Sequence, residues 1–170
     1  MTAYVALLRA VNVGGTGKLP MTELTAMCEA VGFTQVKTYI ASGNVVFLSP
    51  LDQAAVKASL EAKLHTFAGK PVGVMIRTAA EIAAVLAANP FADEPPNRTV
   101  AIFLDAPPPE TLHETITHQH DERIEAGLRE IYVTYPSGMA DSKLRIKAAA
   151  DGTARNMNTV SKLAAMAAAL

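Results

Sequence analysis

The sequence predicts an α+β protein made of two tandem βαββαβ halves, on three observations. β-forming apolar runs alternate with helical patterns along the whole chain. Two such runs in each half are separated only by a short turn, which marks a hairpin and therefore antiparallel pairing. The order of elements then repeats on either side of a Pro-rich stretch at 92–98.

Tyr4 to Val11 is a continuous apolar run ended by Asn12 and Gly14-Gly15, which reads as a buried strand. Pro20 suits the first turn of a helix, and Leu24, Met27, Cys28 and Val31 follow at i, i+3, i+4, i+7, one helical face. Cys28 is thus expected in the core, and Gly32 closes the helix. Val36 to Ala41 and Asn44 to Leu48 read as strands of a hairpin about Ser42-Gly43. Asp52 opens a second helix carrying Val56, Leu60, Leu64 and Phe67, closed by Gly69, and Pro71 to Arg77 reads as a strand. Thr78-Ala79-Ala80-Glu81 is a capping box that starts a third helix, running to about Ala88 before Asn89-Pro90.

Residues 92–98 hold Asp93, Glu94, Pro95, Pro96 and Asn97 and are the linker candidate. Beyond them Thr99 to Asp105 is a strand, and Pro109 starts a helix with Leu112 and Ile116. Glu122 to Ala126 and Arg129 to Tyr135 are strands about Gly127. Asp141 or Ser142 caps a short helix with Leu144 and Ile146, Gly152 to Arg155 is a short strand, and Asn156 or Asn158 caps a final helix. The expectation is two ferredoxin-like βαββαβ subdomains, 1–91 and 99–170 with its C-terminal helix, whose antiparallel sheets are covered by Ala-rich helices.

Composition narrows the functional class. The chain has 170 residues, 15 Lys plus Arg, 16 Asp plus Glu and a formal net charge of -1. Half the residues are hydrophobic, which excludes disorder, and no apolar run is long enough to span a bilayer. The first ten residues lack a basic start, so no secretory signal is expected, and the single cysteine, Cys28, suits a reducing cytoplasm. The balanced charge argues against a generic polyanion binder, yet it is polarised. Nine acids face three Arg between Asp93 and Glu130, whereas Lys143, Arg145, Lys147, Arg155 and Lys162 outnumber Asp141 and Asp151 in the tail.

The first strand-to-helix loop, Asn12-Val13-Gly14-Gly15-Thr16-Gly17-Lys18, offers backbone N–H groups and a cation to an anion. It is not a Walker loop, since Asn12 and Leu19 stand at two of its defining positions, nor a dinucleotide loop, since Pro20 replaces the third glycine. Arg9, at the end of an apolar strand, must reach water, a partner or a ligand. Ser42-Gly43-Asn44 is a turn in its own right. Only Phe47 is aromatic on the strand where RNA-recognition sheets carry stacking rings, so nucleic acid is weakly supported. Arg155-Asn156-Met157-Asn158-Thr159 places caps and a cation at a helix start. His118 and His120 lie at a polar turn, and neither a metal nor a cofactor is expected. No nucleophile elbow, Ser-His-Asp spacing or paired-carboxylate motif is present.

The chain resembles the bacterial domain-of-unknown-function 1697 proteins. The resemblance rests on Tyr4-Val5-Ala6-Leu7-Leu8-Arg9 with Asn12-Val13-Gly14-Gly15, Leu19-Pro20-Met21, Leu24, Gly32-Phe33, Thr38-Tyr39-Ile40, Ser42-Gly43-Asn44-Val45-Val46-Phe47 and Asn89-Pro90-Phe91. It continues in Ala154-Arg155-Asn156, Asn158-Thr159-Val160 and Lys162-Leu163. It implies a pair of ferredoxin-like subdomains and, because the family's activity is not established, no reaction. Ala10 stands where the family usually has Gly, Ala41 where it has a polar residue, and Met157 where it has an aromatic.

These stretches hold amides, hydroxyls, backbone N–H groups and cations, with no carboxylate or His to act as a general base. The expected function is therefore binding of a small anionic or polar ligand: a nucleotide, a phosphorylated metabolite or a short nucleic acid. Its expected ligand-binding residues are Arg9, Asn12, Gly14, Gly15, Lys18, Ser42, Gly43, Asn44, Arg155, Asn156, Asn158, Thr159 and Lys162, with Arg9, Asn44 and Arg155 in one cleft. The alternatives are an enzyme whose acid or base lies elsewhere, at Tyr39 or among the acids near the linker, and a structural or assembly protein.

Overall fold

Thr2–Leu8 (β1) occupies an inner position in its sheet because both of its faces are apolar. Tyr4, Ala6 and Leu8 point one way, Val5 and Leu7 the other, and all five are buried. The computed structural model describes residues 1–12 and 18–170. Over these described residues it is an α+β structure with four α-helices and three sheets, antiparallel throughout. The chain groups into two compact units, Met1–Ala83 with Lys162–Leu170, and Ala84–Ser161.

In the first unit β1 is followed by Met21–Ala30 (α1), Thr34–Thr38 (β2), Asn44–Ser49 (β3), Gln53–Ala68 (α2) and Val74–Thr78 (β4). The sheet order is β2-β3-β1-β4, so β1 pairs with both β3 and β4. Tyr4, Ala6, Leu8, Val45, Phe47, Val74 and Ile76 from the strands form one core with Leu24, Met27 and Cys28 of α1 and Val56, Leu60 and Leu64 of α2. The face predicted for α1 is the face that is buried. Burial, with Glu29 alongside, pushes the Cys28 thiol up to about 12, so it is a core side chain and not a thiolate.

Local chemistry sets the helix ends. Gly32, at φ 92°, closes α1 in a Schellman arrangement, with Phe33 N–H on Cys28 O and Gly32 N–H on Glu29 O, both 3.0 Å. Phe33 then stacks on Phe47, their centroids 4.2 Å apart. Asp52 Oδ1 accepts from Ala55 N–H at 2.8 Å to start α2. Lys57 and Glu61, one turn apart and 3.1 Å from each other, bind the first residue of β4: Lys57 donates to Val74 O and Glu61 Oε2 accepts from Val74 N–H. The capping box forms as the sequence predicts, with Glu81 N–H on Thr78 Oγ1 at 3.1 Å and Thr78 N–H on Glu81 Oε1 at 2.9 Å, and it starts Ala79–Ala87 (α3).

The second unit is organised on Thr99–Phe103 (β5), buried along its whole length. Ile116–Thr117 (β6), Arg123–Ala126 (β7), Glu130–Thr134 (β8), Arg145–Ile146 (β9) and Thr153–Asn156 (β10) follow, and then Met157–Ala168 (α4), whose residues from Lys162 on group with the first unit. The main sheet runs β10-β5-β8-β7, and β6 pairs with β9 in a separate two-stranded ladder. Val100, Ile102, Leu104, Ile124, Ile131 and Val133 form its core with Leu112 and, partly buried, Ile116, Leu144 and Ile146. On the sheet's other face the Tyr132 hydroxyl donates to Val85 O of α3 at 2.7 Å.

Two predicted helices are absent. The segment from Pro109 forms only a 3-10 turn, Leu112–Thr115, before β6. Leu112 and Ile116 do share a core, but β-branched Ile116 and Thr117 extend into a ladder instead of completing a helix. The segment with Leu144 and Ile146 forms β9 and a 3-10 turn, Lys147–Ala149. Its half-buried Leu144 and Ile146 alternate with exposed Lys143, Arg145 and Lys147, a period of two that belongs to strands. The hairpin between β2 and β3 is also longer than predicted, because Tyr39 to Gly43 lie outside both strands and Ile40 takes φ 50°.

Candidate functional site

The exit of β1 is tied to the β2–β3 turn by two asparagines. Asn12 spans the ends of its loop: Nδ2 donates to Leu19 O at 2.8 Å and Oδ1 accepts from Leu19 N–H at 2.7 Å. The same Nδ2 donates to Ala41 O at 2.7 Å, so one amide holds three chain segments. Asn44 is fully buried, and its Nδ2 donates to Tyr39 O and Ser42 Oγ, both at 2.9 Å. Gly43 takes φ 89°, and a Cβ there would stand 2.6 Å from Val11 Cγ2 and 2.9 Å from Leu8 Cβ. The turn therefore lies directly on the end of β1, with Leu8 N–H on Gly43 O at 2.8 Å.

Beside this junction is a cavity of about 410 Å³. Its charged lining is Arg9, Lys18 and Lys70, all exposed, and no acidic residue lines it among the described residues. Arg9 is placed by its own N–H, which donates to Gly73 O at 2.9 Å, next to the strand that Lys70 precedes. Lys70 follows the left-handed Gly69 that closes α2. The apolar lining is Val11 and Leu19 from the β1–α1 connection, Leu64 and Phe67 from α2, and Val72. Leu64 is buried in the core, whereas Phe67, one turn later, is 45% exposed. Like charges gathered in the lining of a concave, partly apolar site favour a positive potential there, where field lines are focused.

The sequence-predicted residues divide by role. Arg9 and Lys18 line the cavity. Asn12, Ser42, Gly43 and Asn44 shape its border through the contacts above. Gly14 and Gly15 lie outside the described residues. In the second unit, Arg155 is 8% exposed; its Nη1 donates to Thr153 Oγ1 at 2.6 Å and to Ala154 O at 2.9 Å. Burial pulls its guanidinium down to about 10, still protonated at neutral pH. Asn156 is the cap of α4, its Oδ1 accepting from Thr159 N–H at 2.9 Å, while Asn158 and Lys162 are exposed on that helix. The cavity that Arg9 lines includes neither Asn44 nor Arg155. Met157, where the resemblance leads one to expect an aromatic, is 3% exposed, so it acts there as packing.

Sequence reasoning missed Lys70 and did not assign Phe67 to a site. The signal for Lys70 is a cation between a helix-closing glycine and Pro71; for Phe67 it is the last aromatic of an otherwise small and polar helix end. Another cavity, also about 410 Å³, lies in the other unit, lined by His118 to Glu122, Ser137, Gly138 and Asp141 to Lys143. Within it the Ser142 hydroxyl and the His120 N–H both donate to the Glu122 carboxylate and hold it below the usual carboxylate range. No group of three or more His, Cys, Asp or Glu among the described residues is placed to hold a metal ion. No described helix is long and apolar enough to cross a membrane.

A conserved bacterial protein from Streptococcus pneumoniae shares the fold, with a TM-score of 0.78 over 98% of each chain at 24% identity. No curated protein matches the chain. A family model described as protein of unknown function (DUF1697) matches residues 1–132, which hold every residue lining the Arg9 cavity. Since that match takes in most of the sequence, the chain belongs to the DUF1697 family.

Proposed function

We propose that the protein binds a small anionic ligand in the cavity lined by Arg9, Lys18 and Lys70. The observation that carries this reading is the lining itself: the described charges are all positive, on a concave apolar floor. The narrow border supports it, because Asn12 and Asn44 spend their amides on backbone carbonyls and so fix the geometry around Arg9. Pre-organisation of this kind lowers the entropy lost on binding. A strand order of β2-β3-β1-β4 in one unit and β10-β5-β8-β7 in the other supports the finer reading of two tandem ferredoxin-like subdomains. The site lies wholly in the first of them.

A thermal-shift titration with ribose 5-phosphate and inorganic pyrophosphate tests the proposal. The expected result is a rise in Tm that shrinks as salt increases and is lost in the Arg9→Ala/Lys70→Ala double variant. Lys147→Ala, in the other unit, should keep the full rise. A rise that the double variant retains, or no rise with these compounds and none with an aromatic phosphate such as AMP, would overturn the reading.

A further inference from the structure

We infer that the ligand is a flat ring carrying a phosphate group, stacked on Phe67, and not a bare oxyanion or a sugar phosphate. This rests on the reading of the Arg9 cavity above. Five features of the structure lead to it.

The cavity is too large for an inorganic anion alone. At about 30 Å³ per water it has room for on the order of a dozen waters, and its 410 Å³ lies in the range of organic-ligand sites. The cations do not surround the space; Leu19, Leu64 and Val72 provide an apolar wall. Phe67 extends that wall, and of the exposed large hydrophobic side chains among the described residues it alone lines this cavity. An aromatic ring left 45% exposed in the lining that also holds the cations leaves surface for a second ring to stack on, while the anionic group of the same molecule reaches Arg9 and Lys70. Finally, the described lining contains no side-chain amide, hydroxyl or carboxylate. No described side-chain amide, hydroxyl or carboxylate is there to read the hydrogen-bonding edge of a ring, so the site separates ring from no ring more strongly than one ring from another.

Nucleotides and simple aryl phosphates share this chemistry, and the test separates them. The chain has no tryptophan, so Phe67→Trp places a single indole fluorophore in the cavity wall. Its emission would be titrated with AMP, GMP, 1-naphthyl phosphate, adenosine and ribose 5-phosphate, and affinities for the unsubstituted protein measured by calorimetry. The expected result is quenching by AMP, GMP and naphthyl phosphate, with AMP and GMP alike within about three-fold. AMP should bind roughly ten-fold or more tighter than ribose 5-phosphate, an advantage removed by Phe67→Ala and kept by Phe67→Trp. Equal affinity for AMP and naphthyl phosphate would place recognition in ring and phosphate alone; a clear preference for AMP would add the ribose to the ligand class. Ribose 5-phosphate binding as tightly as AMP, or an AMP advantage that Phe67→Ala leaves intact, would overturn the inference while leaving the anion site standing. Absence of binding by every phosphate compound would overturn both.

Discussion

Arg77 and Arg155 make the same contact in the two units. Each stands one residue before the end of the last strand of its sheet, and each donates Nη1 to the carbonyl of the preceding residue at 2.9 Å. Each is followed by a residue whose side chain caps the next helix, Thr78 for α3 and Asn156 for α4. Arg77 is 1% exposed and Arg155 8%. Turning the guanidinium back on its own strand satisfies part of its donor fork without water, as a buried arginine requires. The recurrence of strand end, buried Arg and helix cap supports an internal duplication more directly than the sequences of the two halves do.

Arg155→Ala should therefore act on stability. It leaves Thr153 Oγ1 and Ala154 O without their donor and opens space at a buried position. A loss of about 2–4 kcal/mol is expected, read as a lower urea midpoint with an unchanged m-value. AMP affinity of the folded fraction should be unaltered. A variant as stable as the parent would remove the structural role assigned to this residue.

Ala10 takes φ 55°, the left-handed region that glycine enters freely and alanine does not. Its departure from the glycine expected by resemblance is thus a strained one. Ala10→Gly should raise stability by about 0.5–1 kcal/mol, the relief of strain being partly offset by the extra entropy of the unfolded chain. Asn12 takes φ 55° as well but tolerates it, being Asn, and gains three hydrogen bonds in doing so. Chemical denaturation of Ala10→Gly beside the parent decides the matter, and a destabilised variant would count against strain at this position.

Gly43→Ala should be among the most damaging single substitutions in the first unit. The added Cβ meets Val11 and Leu8 inside contact distance at a backbone conformation that alanine resists. A cost of roughly 2–4 kcal/mol is expected, and because Val11 lines the Arg9 cavity, ligand affinity should fall with it. Parallel denaturation and AMP titration would check both effects. Retained stability would show that Val11 and Leu8 yield more easily than their burial indicates.

Much of the first unit was legible because its signals are local. The spacing of Leu24, Met27 and Cys28, the Asp52 and Thr78 caps, and the closing glycines Gly32 and Gly69 each specify an element without reference to the rest of the chain. The second unit was less legible. Its connecting segments hold only a few apolar residues, and a Leu-Ile pair fits a helix or a strand until the charges between them are counted. Arg9 and Lys18 could be singled out because a cation at the end of an apolar run needs an explanation. Lys70 and Phe67 could not, because they meet Arg9 only through the β1–β4 pairing and the return of α2 to that edge, which no local pattern encodes. Asn44 illustrates the opposite error: a polar residue in a motif suggests a ligand, yet its amide is spent inside the turn.

The Glu122 cluster gives a pH dependence whose sign follows from its hydrogen bonds. The Ser142 hydroxyl, then the His120 N–H, stabilise the carboxylate form and hold the folded carboxyl below its ordinary 4.5. A group with a depressed folded pKa contributes stability that is complete above the unfolded value and is lost as pH falls through the folded one. Ser142→Ala removes the largest of these contributions, so it should cost roughly 0.5–1 kcal/mol at about pH 5 and less at about pH 3, further toward the depressed folded value. Urea denaturation of parent and variant at the two pH values measures the difference. An equal cost at both would mean that the Ser142 hydroxyl does not discriminate between the charged and neutral carboxyl, and that the acid sensitivity of this unit lies elsewhere.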